Sequence, residues 1–223
     1  MEKLVKGVHA FQEEVFRSER ALFKRLSEGQ IPETLFITCS DSRINPNLLT
    51  GTEPGELFIL RTAGNLVPSS GAHPSGEAAT IEYAVSVLGV EDIIVCGHSL
   101  CGAIDALLDP SKTEKLPNVR AWLSHAQETK HIVETSYPGL SESALASVAV
   151  QENVLVQVEH LKKMPCVAER IAAGTLGLHA WVYRIESGDV FAYDPNAGQY
   201  VHLNEEVARA GVKSRGNRAI RPI

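Results

Sequence analysis

The stretch LFITCSDSR, Leu35 to Arg43, closes a fully apolar run with a thiol, a carboxylate and a guanidinium at every second position: Cys39, Asp41 and Arg43. Strand side chains alternate between faces with a period of two, so an extended chain projects all three from one side. The run itself, Leu35 to Cys39, lacks the polar alternation of a half-exposed strand and reads as one covered on both faces. ELFILRTAG (56–64) and EDIIVCGH (91–98) have the same character. Between them SGEAATIEYAVSVLG reads as a helix with Ser75 as N-cap and Gly89 as its stop, and CGAIDALL, from Cys101, begins another. Apolar strands interleaved with helices indicate an α/β fold: a mostly parallel central sheet with flanking helices.

Working outward, Leu4, Val8, Phe11, Val15, Leu22 and Leu26 recur at helical steps, predicting an amphipathic helix over 4–28 that Gly29 ends. Residues 1–29 are thus an N-terminal helical arm, suited to lying on the domain or on a partner chain. The α/β domain is expected over 30–212. Its second half is helical over 118–135, 142–163 and 166–173, with breaks near Pro138-Gly139 and at Pro165. LHAWVYRIESGDVFAYD (178–194) reads as an antiparallel hairpin turning at Ser187-Gly188. Residues 213–223, KSRGNRAIRPI, carry four cations and no acid, and are expected to be a mobile basic tail, with docking on an acidic surface as the alternative.

Composition narrows the function. A formal charge of −6 and a pI near 5.8 leave no basic footprint for nucleic acid. No apolar run approaches the length of a membrane span, and the N-terminus lacks a signal-peptide pattern. A cytoplasmic protein is expected, in which the four cysteines serve as ligands, nucleophiles or core residues rather than disulfides.

Two strand ends carry the chemistry. The first strand ends in CSDSR, and the 91–98 strand ends in GHSLCG, with His98 and Cys101. Sites in open parallel sheets form beyond the carboxyl ends of strands, where strand order reverses. Two thiolates and an imidazole suit Zn²⁺, and three protein ligands leave a fourth position open, as in catalytic sites. Singly, each residue would pass for a buried thiol or a satisfied core histidine; together, beside Asp41 and Arg43, they favour a metal. Gly97 and Gly102 flank the segment, where glycine permits close approach of backbone to a metal or ligand.

The pair of motifs, Cys-x-Asp-x-Arg followed by His-x-x-Cys, resembles the β-class carbonic anhydrases, most closely their bacterial and cyanobacterial members. The resemblance implies one zinc per subunit on Cys39, His98 and Cys101, with Asp41 and Arg43 as a catalytic dyad. It also implies substrate contacts from Gln30, Phe58 and Tyr83, and from Gly102, whose N–H would face the bound anion. The expected reaction is reversible hydration of CO₂ to bicarbonate and a proton by zinc-bound hydroxide that the dyad orients. Two thiolates offset the charge of the metal, so the hydroxide form is expected to dominate at mildly alkaline pH. A homodimer or dimer of dimers is implied, with pocket residues from both chains, in the cytoplasm or in a microcompartment such as a carboxysome.

In some members the equivalent Asp swings onto the metal, and a second bicarbonate site uses a Trp three residues before the first cysteine. Phe36 holds that position here, although Arg61 and Tyr183 match other parts of that site, so an open site with weak or absent bicarbonate inhibition is expected. His73, His125 and His131 are conceivable proton shuttles on titration range alone. Two other functions fit the same ligands: hydrolysis of carbonyl sulfide or carbon disulfide, and a non-catalytic zinc-stabilised scaffold subunit.

Overall fold

The computed structural model describes residues 1–69, 74–212 and 219–223, in two compact units, Met1–Ile31 and Pro32–Ile223. In the first unit the helix expected over 4–28 is interrupted. Glu2–Ala10 leads into a π turn, Phe11–Val15, and a short continuation, Phe16–Ser18; the chain then breaks at Glu19 (φ −102°, ψ 27°) and resumes as Arg20–Glu28. The wider π turn brings residues five apart onto one face. Phe11 and Phe16 meet there at 6.4 Å between ring centroids, and both pack on Phe23 at 5.5 and 5.1 Å. Gly29, at φ 153°, ends the arm as its sequence predicts. Leu4, Val8, Phe11 and Val15 on its apolar stripe are exposed.

The second unit is built on a six-stranded sheet in the order β2-β1-β3-β4-β5-β6. The strands are β1 Thr34–Cys39, β2 Leu57–Thr62, β3 Asp92–His98, β4 Gly177–Tyr183, β5 Val190–Asp194 and β6 Gln199–His202. The first four are parallel, and β4-β5-β6 run antiparallel. The expected hairpin is β4-β5, closed through Gly188 at φ 79°. The short β6 was not anticipated. From β1 the chain goes out to β2 on one side and then to β3 on the other, so strand order reverses between β1 and β3.

Around the sheet lie Gly76–Glu82, continued by a π turn Tyr83–Leu88, then Gly102–Leu108, Pro117–Leu123, Gln127–Ser136, Glu142–Lys162 and Pro165–Ala172. Ser75 Oγ caps the first at Ala78 N–H, 3.2 Å, and Gly89, left-handed at φ 71°, stops it. The helix expected over 118–135 is divided by a 3₁₀ turn, Ser124–Ala126. Among the described residues no helix is long and apolar enough to cross a membrane.

Leu35, Ile37 and Cys39 face the main core, which Val148, Val150, Val154 and Val158 of the Glu142–Lys162 helix help to fill. Phe36 points the other way, into a smaller cluster with Ile94, Cys96 and Trp181. The long helix lies close against β3: a Cβ on Gly97 would sit 2.7 Å from Val154 Cγ2.

Residues 213–218 of the expected tail lie outside the described residues. Residues 219–223 are held down, against the expectation of a mobile end. Ile220 is buried and its N–H donates to Tyr137 Oη (2.7 Å); Gln151 Nε2 donates to the Arg221 carbonyl (3.1 Å), and Ser147 Oγ to that of Ile223 (2.9 Å). The apolar Ile220 and Ile223 on the core outweigh the cationic character that suggested a free tail.

Two expectations follow from the packing. Gly97→Ala should lower stability by about 1–3 kcal/mol in urea unfolding, the usual cost of overpacking; combined with Val154→Ala, the loss should be smaller than the sum of the two single changes. At the opposite end of β3, His179 Nε2 lies 2.7 Å from Asp92 Oδ1 and lowers the Asp92 pKa. A carboxyl lowered on folding stabilises fully above its unfolded value, about 4, and loses that contribution as pH falls through the folded value. Asp92→Asn should therefore flatten the stability–pH curve below about pH 4, read by urea unfolding across that range.

Candidate active site

The strand β1 ends at Cys39, and the chain does not remain extended beyond it. Asp41 is instead the first residue of a tight turn: its carbonyl accepts from Ile44 N–H (3.3 Å), and its Oδ1 accepts from Arg43 N–H (2.9 Å). Short polar side chains favour this closure because they bond the backbone two residues on. The turn, not strand alternation, brings Asp41 and Arg43 together. Arg43 then grips the carboxylate as a fork, Nε to Oδ1 at 2.9 Å and Nη2 to Oδ2 at 2.7 Å, and also reaches the Leu100 carbonyl at 3.0 Å. Leu100 presents that carbonyl from a left-handed backbone, φ 57°, an uncommon conformation for leucine.

The second segment leaves β3 at His98, fully buried. Its Nδ1 lies 2.8 Å from the Ser99 carbonyl, which only accepts, so Nδ1 carries the hydrogen and Nε2 a free lone pair. Ser99 Oγ is held in turn by Ile185 N–H (2.9 Å) and by Glu186. Cys39 and Cys101 are buried with their sulfurs 3.9 Å apart, and the ligand atoms of Cys39, His98 and Cys101 all lie within 4.8 Å of one another. Among the described residues no hydrogen-bond partner reaches His98 Nε2. A buried lone pair without a partner is costly and rare. Two sulfurs and an imidazole nitrogen converging on one point are the donor set of a metal ion, so the residues fit one.

Charge is arranged to match. The Arg43 fork holds the Asp41 carboxyl well below the usual carboxylate range, so it is ionised at neutral pH. The Cys39 thiol is held below the usual thiol range, chiefly by the hydrogen bond from Cys101, and Cys101 is pushed up chiefly by that same bond, with burial adding to it. Asp41 stands beside the ligand group, its Oδ2 3.8 Å from His98 Nε2, and both its oxygens are engaged by Arg43. Cys96, fully buried and raised to about 12, is an inert core thiol.

The other expected site residues are distributed differently. Phe58 and Tyr83 stack on each other, 6.1 Å between centroids. Phe58 pairs with Leu35, whereas Cys39 pairs with Thr62. Four residues of strand, about 13 Å at the usual rise, thus separate Phe58 from the ligand end of the same chain. Gly102 opens the helix after Cys101, with free space where a Cβ would project. A cavity of about 600 Å³ touches Cys101 and Gly102 from the side of Val150, Arg184 and Ile223, behind the ligand loop. Gln30 belongs to the N-terminal unit. His125 stacks edge-on with Trp122, His131 is exposed, and His73 lies outside the described residues.

Arg61, matched by resemblance to a second anion site, has a local task here. Its guanidinium donates to the carbonyls of Cys39 (3.0 Å), Asp41 (2.6 Å) and Ile44 (2.9 Å), stitching the turn to β2. The sequence carried no signal for this or for the Leu100 contact, since both join a side chain to a distant backbone carbonyl.

An α/β sheet with a Cys-His-Cys group at its switch point and an ion-pair fork beside it defines a metal-binding protein of the parallel-sheet class. The carbonic anhydrase family model matches residues 34–190. The chain is 49% identical over 195 residues to a carbonic anhydrase of Synechocystis sp. (87% of this chain, 71% of that protein) and 45% identical over 205 residues to one of Pseudomonas aeruginosa (92% and 93%). The solved structure of the β-carbonic anhydrase CcaA superposes with a TM-score of 0.89 at 47% identity, covering 91% of this chain and 99% of that one. A tetrameric β-carbonic anhydrase of the ascomycete Sordaria macrospora gives 0.78 at 27% identity, covering 86% and 95%. The chain belongs to the carbonic anhydrase family, in its β class.

Because Arg61 holds the 40–44 turn by three bonds from a charged donor, each worth about 1.5–3 kcal/mol, Arg61→Gln should speed amide hydrogen exchange at Ser40–Ile44 and lower global stability by at least that much. Exchange measured residue by residue by NMR would show it.

Proposed function

We propose that the protein catalyses reversible hydration of CO₂ to bicarbonate and a proton, as a lyase, with one zinc ion per subunit held by Cys39, His98 and Cys101. The observation that carries this reading is the convergence of two buried thiols and an unpartnered imidazole Nε2 beside an ionised Asp41. Bound there, zinc would supply the Lewis acidity that makes hydroxide available near neutral pH. The protein groups then orient the reaction. Asp41, acceptor-only while ionised, accepts a hydrogen bond from the nucleophilic hydroxide and leaves an oxygen lone pair aimed at CO₂. Arg43 keeps Asp41 charged and fixes its direction through two parallel bonds. Engagement of both Asp41 oxygens by Arg43 supports an open site, in which Asp41 directs the reaction and does not occupy the position of the substrate.

The Gly102 N–H and the Gln30 amide are assigned to the oxygens of CO₂ or bicarbonate. Phe58 and Tyr83 are assigned to an apolar wall that excludes water. Their separation from the ligands of their own chain supports a shared pocket in which this pair serves the partner subunit, hence at least a dimer. The exposed apolar stripe of the N-terminal arm is consistent with such an assembly. Weak or absent bicarbonate inhibition also belongs to this reading: Phe36 lies buried against Trp181, and Arg61 is engaged by three backbone carbonyls. The cytoplasmic location remains part of the proposal.

Stopped-flow CO₂ hydration by metal-quantified protein tests it. A chelator should abolish turnover and zinc should restore it. Asp41→Asn should keep about one zinc per chain yet lose roughly 100-fold in kcat/KM, the scale of a misoriented reacting group. Unchanged turnover in Asp41→Asn would overturn the orienting role of Asp41, no turnover in the zinc-loaded parent would assign the site to a structural role, and faster sulfide release from carbonyl sulfide than CO₂ hydration would move the substrate to the sulfur analogue. Light scattering should show a dimer or larger.

A further inference from the structure

The loop after β2, Ala63-Gly64-Asn65, supplies no side chain to the ligand set but touches it through its backbone. Gly64 N–H donates to Cys39 Sγ at 3.3 Å. Gly64 (φ 74°) and Asn65 (φ 51°) are both left-handed, and a non-glycine residue in that region stays there only when its surroundings hold it. A Cβ at Gly64 would come within 3.2 Å of Ala103 Cβ, so the loop is also close-packed behind Cys101.

Two side chains from distant elements grip this loop. Trp122 Nε1–H donates to the Ala63 carbonyl at 2.8 Å, and Asn153 Nδ2 donates to the Gly64 carbonyl at 3.0 Å. The Asn153 amide can face only one way, because its Oδ1 accepts from Thr129 Oγ1 (3.2 Å) and from Gln157 Nε2 (3.0 Å). Gln157 Oε1 in turn accepts from Val67 N–H (2.8 Å), and His160 Nδ1 lies 2.8 Å from the Val67 carbonyl. Residues 153, 157 and 160 share one face of the Glu142–Lys162 helix. All three are buried, in a helix whose other buried positions are mostly apolar. Buried polar groups cost stability unless each is satisfied, and here most of their bonds go to the 63–67 segment.

We propose that Trp122 and Asn153 are positioning residues of the metal site: by clamping the Ala63 and Gly64 carbonyls they hold the Gly64 N–H on Cys39 Sγ. That bond fixes the direction in which the sulfur offers its remaining lone pairs and draws electron density from it. A bound metal is then left more electrophilic than two unmodified thiolates would allow. Gln157 and His160 anchor the far end of the same loop. The proposal rests on the metal-site reading above and goes beyond it by naming residues that touch neither metal nor substrate.

The test uses full-length protein loaded with Co²⁺, whose sulfur-to-metal charge-transfer band reports on the thiolates directly. Trp122→Phe and Asn153→Ser should each shift that band and weaken cobalt binding, in chelator competition, about 10- to 100-fold, the range for partners of metal ligands. In the zinc enzyme both should lower kcat more than they change KM. Val158→Ala, an apolar position buried in the same helix, controls for lost stability and should leave band and affinity unchanged. If Asn153→Ser does not fold, Trp122→Phe, at a half-buried position, decides alone. Variants with the parent's band and affinity would overturn the proposal, as would equal shifts in Val158→Ala. A parent protein that takes up no cobalt would overturn this proposal and the metal-site reading together.

Discussion

The register between β1 and β3 places Thr38 opposite Cys96, and Thr38 Oγ1 locks it by donating to the Cys96 carbonyl at 2.8 Å in a fully buried position. Neighbouring strands run about 4.8 Å apart, so this pairing puts the residue after Thr38 and the residues after Cys96 side by side at the carboxyl end of the sheet. A slip of one residue would turn Cys39 to the opposite face, among Phe36 and Ile94, and disperse the ligands. Phe36, buried on one face while Leu35 and Ile37 are buried on the other, makes such a slip expensive. The long helix adds a second lock, because only a glycine at 97 lets Val154 approach β3 so closely.

Two arginines then perform different work on the same turn. Arg43 acts on charge: it pairs with the Asp41 carboxylate and, through the Leu100 carbonyl, joins the first ligand segment to the second. Arg61 acts on shape: it holds three carbonyls of the turn and leaves the carboxylate alone. Guanidinium suits both because its donors form a fixed, planar array that remains charged at any working pH. The ligands, the fork and the turn are consequently one connected body, and a metal entering it meets donors that are already aligned.

The distribution of aromatic residues carries a consequence for assembly. Phe58, near the start of β2, pairs with Tyr83 of the helix that precedes β3, and lies well removed from the Cys39 end of the sheet. In the proposed CO₂ site an apolar wall needs van der Waals reach of the substrate, and four strand positions separate Phe58 from the Cys39 end of its own chain. The same chain also leaves an apolar stripe of its N-terminal arm exposed. Both features support the dimer proposed above.

Much of this was written in local pattern. Uninterrupted apolar strands between capped helices determined a parallel α/β sheet, because only strands covered on both faces dispense with polar alternation. The CSDSR and GHSLCG motifs picked out the Cys39, His98 and Cys101 group that converges in the fold and the Asp41–Arg43 pair beside it, because donor chemistry is a property of residue type. The π turns, the short β6 and the docking of residues 219–223 were not legible, since each depends on packing between segments far apart in the chain. What the tertiary structure alone decided is how the site is held. The Asx turn in place of an extended strand, the left-handed Leu100 carbonyl offered to Arg43, and the Gly64 N–H on Cys39 are all backbone contacts. Every residue but proline carries the same N–H and every residue the same C=O, so no residue letter announces which of them will meet; only the folded path of the chain selects the pair.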